Sequence, residues 1–324
     1  MTCLPVVTVA ASLPMSTKMN HERAPMGRYL RPNSLADALA ALADTNLERN
    51  SGTSHRLTVL AGGTDFYPAQ TARMAWLEAT PRDVLDISDI AELKGVRDEG
   101  AGTTFGALVT WTDICNAALP SAFDGLQRAA REVGGVQVQN RGTLAGNLCN
   151  ASPAADGVPP LLALDAVVRI ASAGGKRSVP LAQFITGNRR TVLAPDELVT
   201  GVHIPRPDPR AQSAFLKLGA RSYLVISIAS VAAVVTLGED GSIATAAIAV
   251  GACSAVPQRL EGLERDLVGV EAIRAGRMVE ARHLESLTPI DDVRGTAGYR
   301  RSAALVLTRR ALEQCLAVPS EAAA

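Results

Sequence analysis

Gln139-Asn140-Arg141-Gly142-Thr143-Leu144-Ala145-Gly146-Asn147 runs through Leu148 and Cys149 into Asn150-Ala151-Ser152-Pro153-Ala154-Ala155-Asp156. Small side chains, glycines and neutral donors crowd this stretch where bulk would block a ligand, and one carboxylate lies beyond a proline turn. Such a loop can wrap a large cofactor; the same composition also suits an Ω-loop that hydrogen-bonds only to itself.

Immediately upstream, a helical pattern from Phe123 to Val133 ends at Gly134-Gly135, as a left-handed C-cap requires. Earlier in the chain, a short apolar strand at 57–60 (Leu-Thr-Val-Leu) runs into a second glycine-bearing segment, Val59-Leu60-Ala61-Gly62-Gly63-Thr64-Asp65-Phe66. Two glycines after a strand let backbone N–H groups point into a common concavity, which suits a pyrophosphate, and Thr64 adds a hydroxyl. A tight turn in which glycine only solves a φ problem reads the same way. Neither segment is a Walker A loop, which needs Gly-Lys-Ser/Thr, nor a GxGxxG fingerprint opening a helix. A nucleotide held here would need both segments converging on one diphosphate.

Around these loops the pattern alternates. Ser34 with Asp37 predicts an N-cap and a helix over 34–43; apolar strands are predicted at 84–87 and near 104–108, and a helix at 111–118. Residues 164–171 and 177–181 flank Ala173-Gly174-Gly175-Lys176 and read as a hairpin. Pro205, Pro207 and Pro209 interrupt the next stretch, so a domain boundary is placed at 185–195. Beyond it, Phe215–Leu218, a hairpin of Ser230–Leu237 and Ser242–Val250 around Glu239-Asp240-Gly241, and a helix over 296–315 predict an α+β domain.

Composition narrows the function. A chain of 324 residues with 47% apolar and 20% charged side chains supports two cores, and 32 basic against 32 acidic groups leave no global field for nucleic acid or an anionic membrane. Cys3, Cys115, Cys149, Cys253 and Cys315 form no CxxC pair or iron–sulfur ladder and read as reduced thiols of a cytoplasmic protein. The four histidines, His21, His55, His203 and His283, show no ligand spacing. Met1–Pro14 lacks the basic start of a secretory signal, and residues 1–25 read as a loose extension.

The two glycine segments together resemble the FAD-binding domain of the medium subunits of xanthine dehydrogenase, aldehyde oxidase and carbon monoxide dehydrogenase, within the vanillyl-alcohol-oxidase-type flavoprotein superfamily. Ala61–Asp65 matches its first flavin loop and Asn140–Asn147 with Ala151–Asp156 its second; Ala145 stands where the family usually has glycine. Phe215-Leu216-Lys217-Leu218-Gly219-Ala220-Arg221, Pro257-Gln258-Arg259, Pro289–Arg294 and Tyr299-Arg300 extend the similarity over nearly all of the chain from Met26.

The resemblance implies a two-part FAD-binding domain at 26–190, a small antiparallel-sheet-plus-helices domain at 191–318 and a tail at 319–324. It implies FAD contacts from Val59, Leu60, Ala61, Gly62, Gly63, Thr64, Asp65 and Phe66, from Thr143, Ala145, Gly146 and Asn147, and from Asp156, Val199 and Lys217, with Val133 a weaker match. The backbone of 61–64 and 143–147 would take the pyrophosphate, Asp156 ribityl or ribose hydroxyls, and Lys217 negative charge on the reduced flavin. With no histidine in either loop, the FAD is expected without a covalent link. It also implies partners: a molybdopterin-binding large subunit, a 2Fe–2S small subunit, and NAD or another electron acceptor, assembled as a dimer of three-subunit units. The competing reading is a self-sufficient FAD-dependent oxidase or dehydrogenase of a small organic substrate. It lacks an obvious general base in the motifs.

Overall fold

The computed structural model of the chain describes residues 27–50, 57–75 and 83–317. The expected extension at 1–25 and tail at 319–324, with Cys3, His21 and His55, lie outside the described residues.

Strands β1 (Tyr29–Leu30), β2 (Leu57–Leu60) and β3 (Asp83–Asp86) form a parallel sheet in the order β1-β3-β2, with α1 (Leu35–Asn50) and α2 (Phe66–Ala75) on its connections. Helix α1 outruns its predicted end at 43, continuing through Asp44, Thr45 and Asn46 despite their weak helix propensity. The loop between β2 and α2 is the first glycine segment, which the parallel crossover delivers to the carboxyl end of the strands.

The next elements are β4 (Val96–Asp98), β5 (Gly102–Gly106), α3 (Trp111–Asn116), α4 (Asp124–Glu132), α5 (Val136–Gln139), α6 (Leu144–Asn150) and α7 (Val158–Ala163). They lead into β6 (Val167–Ser172), β7 (Gly175–Pro180), α8 (Leu181–Phe184), the small hairpin β8 (Ile185–Gly187) and β9 (Arg190–Thr191), and β10 (Leu198–Pro205). The five-stranded antiparallel sheet has the order β4-β5-β10-β6-β7. Strand β10 is thus central to the first unit, pairing Val202 with Phe105 on one side and with Val168 on the other. This corrects the boundary placed at 185–195: the first unit closes after Pro205. The prolines misled because the strand ends at the first of them, where ring closure terminates pairing rather than precluding it.

The second unit is the antiparallel sheet β11 (Gln212–Leu218), β12 (Ala229–Leu237), β13 (Ile243–Gly251) and β14 (Gln258–Arg259), with α9 (Glu261–Leu267), α10 (Ala275–Met278) and α11 (Ala297–Leu316). Strand alternation divides its faces. Ala214, Val231, Ala233 and Val235 pack with Leu307, Ala311 and Leu312 of α11 in the unit's own core. Phe215 and Ala232 turn the other way, against Ala129 of α4 and Ala163 of α7. A sheet covered on both faces explains why β12 reads as a nearly unbroken apolar run. Burying the Phe215 ring stabilises this junction by roughly 2 kcal/mol. The same parity sends Lys217, two residues on, toward the first unit.

Candidate cofactor site

The carboxyl end of β2 opens into a cavity of about 1350 Å³, beyond the roughly 300–1,000 Å³ usual for small ligands and suited to a dinucleotide. Its walls are the first glycine loop, the stretch from Gly142 to Asn150, the β8–β9 hairpin and the segment 193–199, with Val133, Val138 and Trp111 completing the wall.

The two loops meet main chain to main chain. A Cβ on Gly62 would stand 1.9 Å from the carbonyl oxygen of Arg141, and Gly63 sits at φ +75° with no room for a side chain beside Tyr67. Glycine is therefore required at 62 for close approach and at 63 for a left-handed backbone. Among the described residues, the amides of Gly62, Gly63 and Thr64 have no protein acceptor. In the second loop, Thr143 caps α6: its Oγ1 accepts from the Gly146 amide at 3.0 Å, and its carbonyl accepts from the Asn147 amide at 3.0 Å. Asn147 lines the cavity, and its buried Oδ1 has no protein partner. A buried acceptor without a donor calls for a ligand or water group to satisfy it. Unused amides, a lone acceptor and glycine-lined walls fit a hydroxyl-bearing diphosphate such as FAD.

Trp111 organises the second loop and was not singled out from sequence. Its amide donates to the Gly142 carbonyl at 3.2 Å. Its indole is 1% exposed, and a Cβ on Gly157 would lie 2.3 Å from the ring. The tryptophan thus wedges between the two ends of the loop, a role that depends on glycines 142 and 157 facing one side chain across the fold. Arg189 and Arg190 are further wall residues that the motifs did not reveal, and Cys149 and Asn150 of the second stretch join the wall beside the residues expected there.

Of the residues expected at the cofactor, Val59 to Phe66, Thr143, Ala145, Gly146, Asn147 and Val199 all line the cavity, as does Val133. Ala145 is helical, so its methyl needs no positive φ. Asp156 and Lys217 do not reach the wall. Lys217 Nζ stands 2.6 Å from Asp156 Oδ2 and donates to the Glu132 carbonyl at 3.1 Å, while the Ser227 hydroxyl donates to Asp156 Oδ1. Both side chains are buried, at 5% and 9% exposure. Burial pushes the Asp156 carboxyl above its ordinary value, against the pull of the Lys217 ammonium and the Ser227 hydroxyl. The surrounding protein pushes the Cys149 thiol up to about 12. Among the described residues no cluster of His, Cys, Asp and Glu could hold a metal ion, and no helix is long and apolar enough to cross a membrane.

Two touching glycine loops over a large cavity, neither of them a Walker A nor a GxGxxG turn, define a dinucleotide-binding flavoprotein-type unit followed by a sheet-and-helix unit. The family model described as the FAD binding domain in molybdopterin dehydrogenase matches residues 21–207, and that of the CO dehydrogenase flavoprotein C-terminal domain matches residues 214–315. The chain belongs to the family of FAD-binding subunits of molybdenum hydroxylases, and is an oxidoreductase subunit of that kind. It is 36% identical over 236 residues to the nicotinate dehydrogenase FAD-subunit of Eubacterium barkeri, covering 70% of this chain and 78% of that one. It is 32% identical to the nicotine 6-hydroxylase medium subunit of Paenarthrobacter nicotinovorans and 30% to the carbon monoxide dehydrogenase medium chain of Afipia carboxidovorans, each covering 89% of this chain and 96% of the relative. Among solved structures, a Cu,Mo-CO dehydrogenase in its cyanide-inactivated form superimposes with a TM-score of 0.79 at 29% identity, over 90% of this chain and 98% of the other.

Proposed function

We propose that this chain is the electron-relaying FAD subunit of a multi-subunit molybdenum hydroxylase of the xanthine dehydrogenase-like kind. In this reading one FAD is held without a covalent link. Electrons arrive from 2Fe–2S clusters on a small partner subunit and leave for NAD or another acceptor. Substrate is hydroxylated at a molybdopterin centre on a large partner subunit, and the complex works in the cytoplasm as a dimer of three-subunit units.

The observation that carries the reading is the contact of Gly62 with Arg141, which makes a single cradle of two distant loops. FAD supplies reversible one- and two-electron redox chemistry when bound. The chain's own residues would hold it: the amides of 62–64 and the backbone of 143–147 on the diphosphate, Asn147 Oδ1 on a hydroxyl, and Val59 and Val199 against its apolar parts. Asp156 and Lys217 act from behind the wall. Lys217 holds the Glu132 carbonyl next to wall residue Val133, and Asp156 precedes Gly157, which packs on Asn147 and Trp111. They are positioning residues. The roles implied by the resemblance, Asp156 on ribityl or ribose hydroxyls and Lys217 on the reduced flavin, would require the pair to open toward the cavity. An unchanged flavin midpoint potential in Lys217→Met at full FAD occupancy would leave bracing as their only role.

Purification of the native complex tests the whole. A yellow flavoprotein chain that copurifies with molybdenum- and iron-bearing subunits supports it. Flavin reduction by a small organic substrate added to the isolated chain would favour the self-sufficient oxidase instead.

A further inference from the structure

We propose that the Arg189-Arg190 turn of the β8–β9 hairpin is a third cofactor-binding element, a guanidinium clamp on the diphosphate where the two glycine loops converge. The proposal rests on the FAD reading above. Both arginines line the cavity, and Arg189 touches both loops. Its Nη1 donates to Asn150 Oδ1 at the end of α6 and stands 4.0 Å from Asp65 Oδ1 in the first loop. Those two residues lie within a few positions of the amides at 62–64 and the backbone at 145–147.

The backbone of the turn is built at a cost. Arg189 sits at φ +58°, a left-handed conformation that a hairpin of this length would give to glycine or asparagine. It is held there by its amide, which donates to the Ala151 carbonyl at 2.9 Å. A strained backbone under a long cationic side chain, on the wall of a cavity, points from strain to function.

The charge balance of the wall leads the same way. Glu197 is already committed to Arg177, with contacts of 2.6 and 2.7 Å, and to the amide of Ala194. Among the described residues the Asp65 carboxylate meets only Arg189, at the limit of an ion pair. Arg190 has no acidic partner among the described residues. The wall's two arginines are matched in number by Asp65 and Glu197, but with Glu197 taken by Arg177 from outside the wall, the Arg190 guanidinium is left, among the described residues, without a carboxylate on the wall that also carries the unpaired amides of the first loop. Guanidinium groups bind phosphate oxygens by paired, charge-assisted hydrogen bonds, whereas a flavin without phosphate offers them nothing comparable.

The test is titration of the full-length apo-protein with FAD and, separately, with riboflavin, at low and high salt, for the wild type, Arg189→Gly, Arg190→Gln, the double variant and Arg190→Lys. Arg189→Gly removes the charge while relieving the backbone, so its apo form is expected to melt no lower than wild type. Loss of charge-assisted contacts should raise the FAD dissociation constant of the double variant by about tenfold or more, with riboflavin affinity changed by less than about twofold. Its FAD affinity should also depend less on salt, and Arg190→Lys should recover part of the loss. An unchanged FAD affinity in the double variant, or an equal loss for FAD and riboflavin, overturns the clamp alone. Wild-type protein that takes up no FAD overturns the cofactor reading beneath it.

Discussion

The carbonyl oxygen of Arg141 lies 1.9 Å from where a Cβ on Gly62 would be, so two loops nearly eighty residues apart are pressed together with nothing between them. Gly62→Ala must drive one main chain away from the other, because neither contacting atom is the end of a flexible side chain. A stability loss of about 1–3 kcal/mol is expected, together with loss of bound flavin, read as the ratio of visible to ultraviolet absorbance. Gly262→Ala provides the contrast. An added Cβ there meets nothing within 4 Å, and α9 should gain about 0.5 kcal/mol with flavin content unchanged. Full flavin content in Gly62→Ala would sink the single-cradle interpretation.

Lys217→Met should do more damage than the loss of one surface charge. It leaves Asp156 buried with only the Ser227 hydroxyl for company, a situation that costs about 3–5 kcal/mol when one member of a buried pair is removed. The double variant Asp156→Asn with Lys217→Met should recover a large part of that loss. Urea denaturation of the four proteins of the cycle measures it; strictly additive losses would show that the two residues are not coupled.

Acid should weaken the second unit through Asp292. Burial would raise this carboxyl, but the Arg294 amide and the guanidinium groups of Arg300 and Arg294 outweigh it and hold it at about 2. A depressed carboxyl contributes stability that is complete above its ordinary value near 3.8 and is lost as pH falls through about 2. After discounting for solvent, that contribution is about 1 kcal/mol. Melting temperatures of wild type and Asp292→Asn should therefore differ most above pH 5 and converge toward pH 2. A gap that stays constant across this range contradicts the assignment.

Cys149 lines the cavity yet should react slowly. It is exposed on the cavity wall, but the protein crowding it raises its thiol, so iodoacetamide labelling at pH 8 should be slower than that of a free thiol in apo-protein and slower still with flavin bound. Acid precipitation of the holoprotein should release all flavin to the supernatant. Flavin retained in the pellet would mean a covalent bond and reverse the expectation of an FAD held without one.

Local chemistry made much of this molecule legible before its structure. The strand Leu57–Leu60 announces itself by apolar content followed by glycine, and the hairpins joining β6 to β7 and β12 to β13 by glycines that supply turns. The loops that wall the cavity were legible for the same reason, since their glycines and small residues stand out in the sequence, although what makes glycine necessary at 62 and 142 is the chain packed against them. Interactions across the fold were not. Strand β10 is placed between β5 and β6 by pairings that its own composition does not encode, so prolines at its end looked like a linker. The resemblance of its motif places Lys217 at the flavin; its contact with Asp156 behind the wall depends on the parity of β11 and the position of Asp156, which the motif does not encode. Arg189 and Trp111 carry no local signature, because their importance lies in what faces them.

The Lys217–Asp156 pair also sets an order of events during synthesis. Asp156 leaves the ribosome 61 residues before the lysine that neutralises it. A nascent chain ending near Pro205 can have both glycine loops in place while the carboxylate behind them still lacks its counter-charge. Residues 42–199 line the cavity, but part of the brace behind it comes from β11, so cofactor capture is expected to be complete only after translation of β11. A ribosome stalled between β10 and β11 would display a nearly complete first unit that holds its flavin poorly.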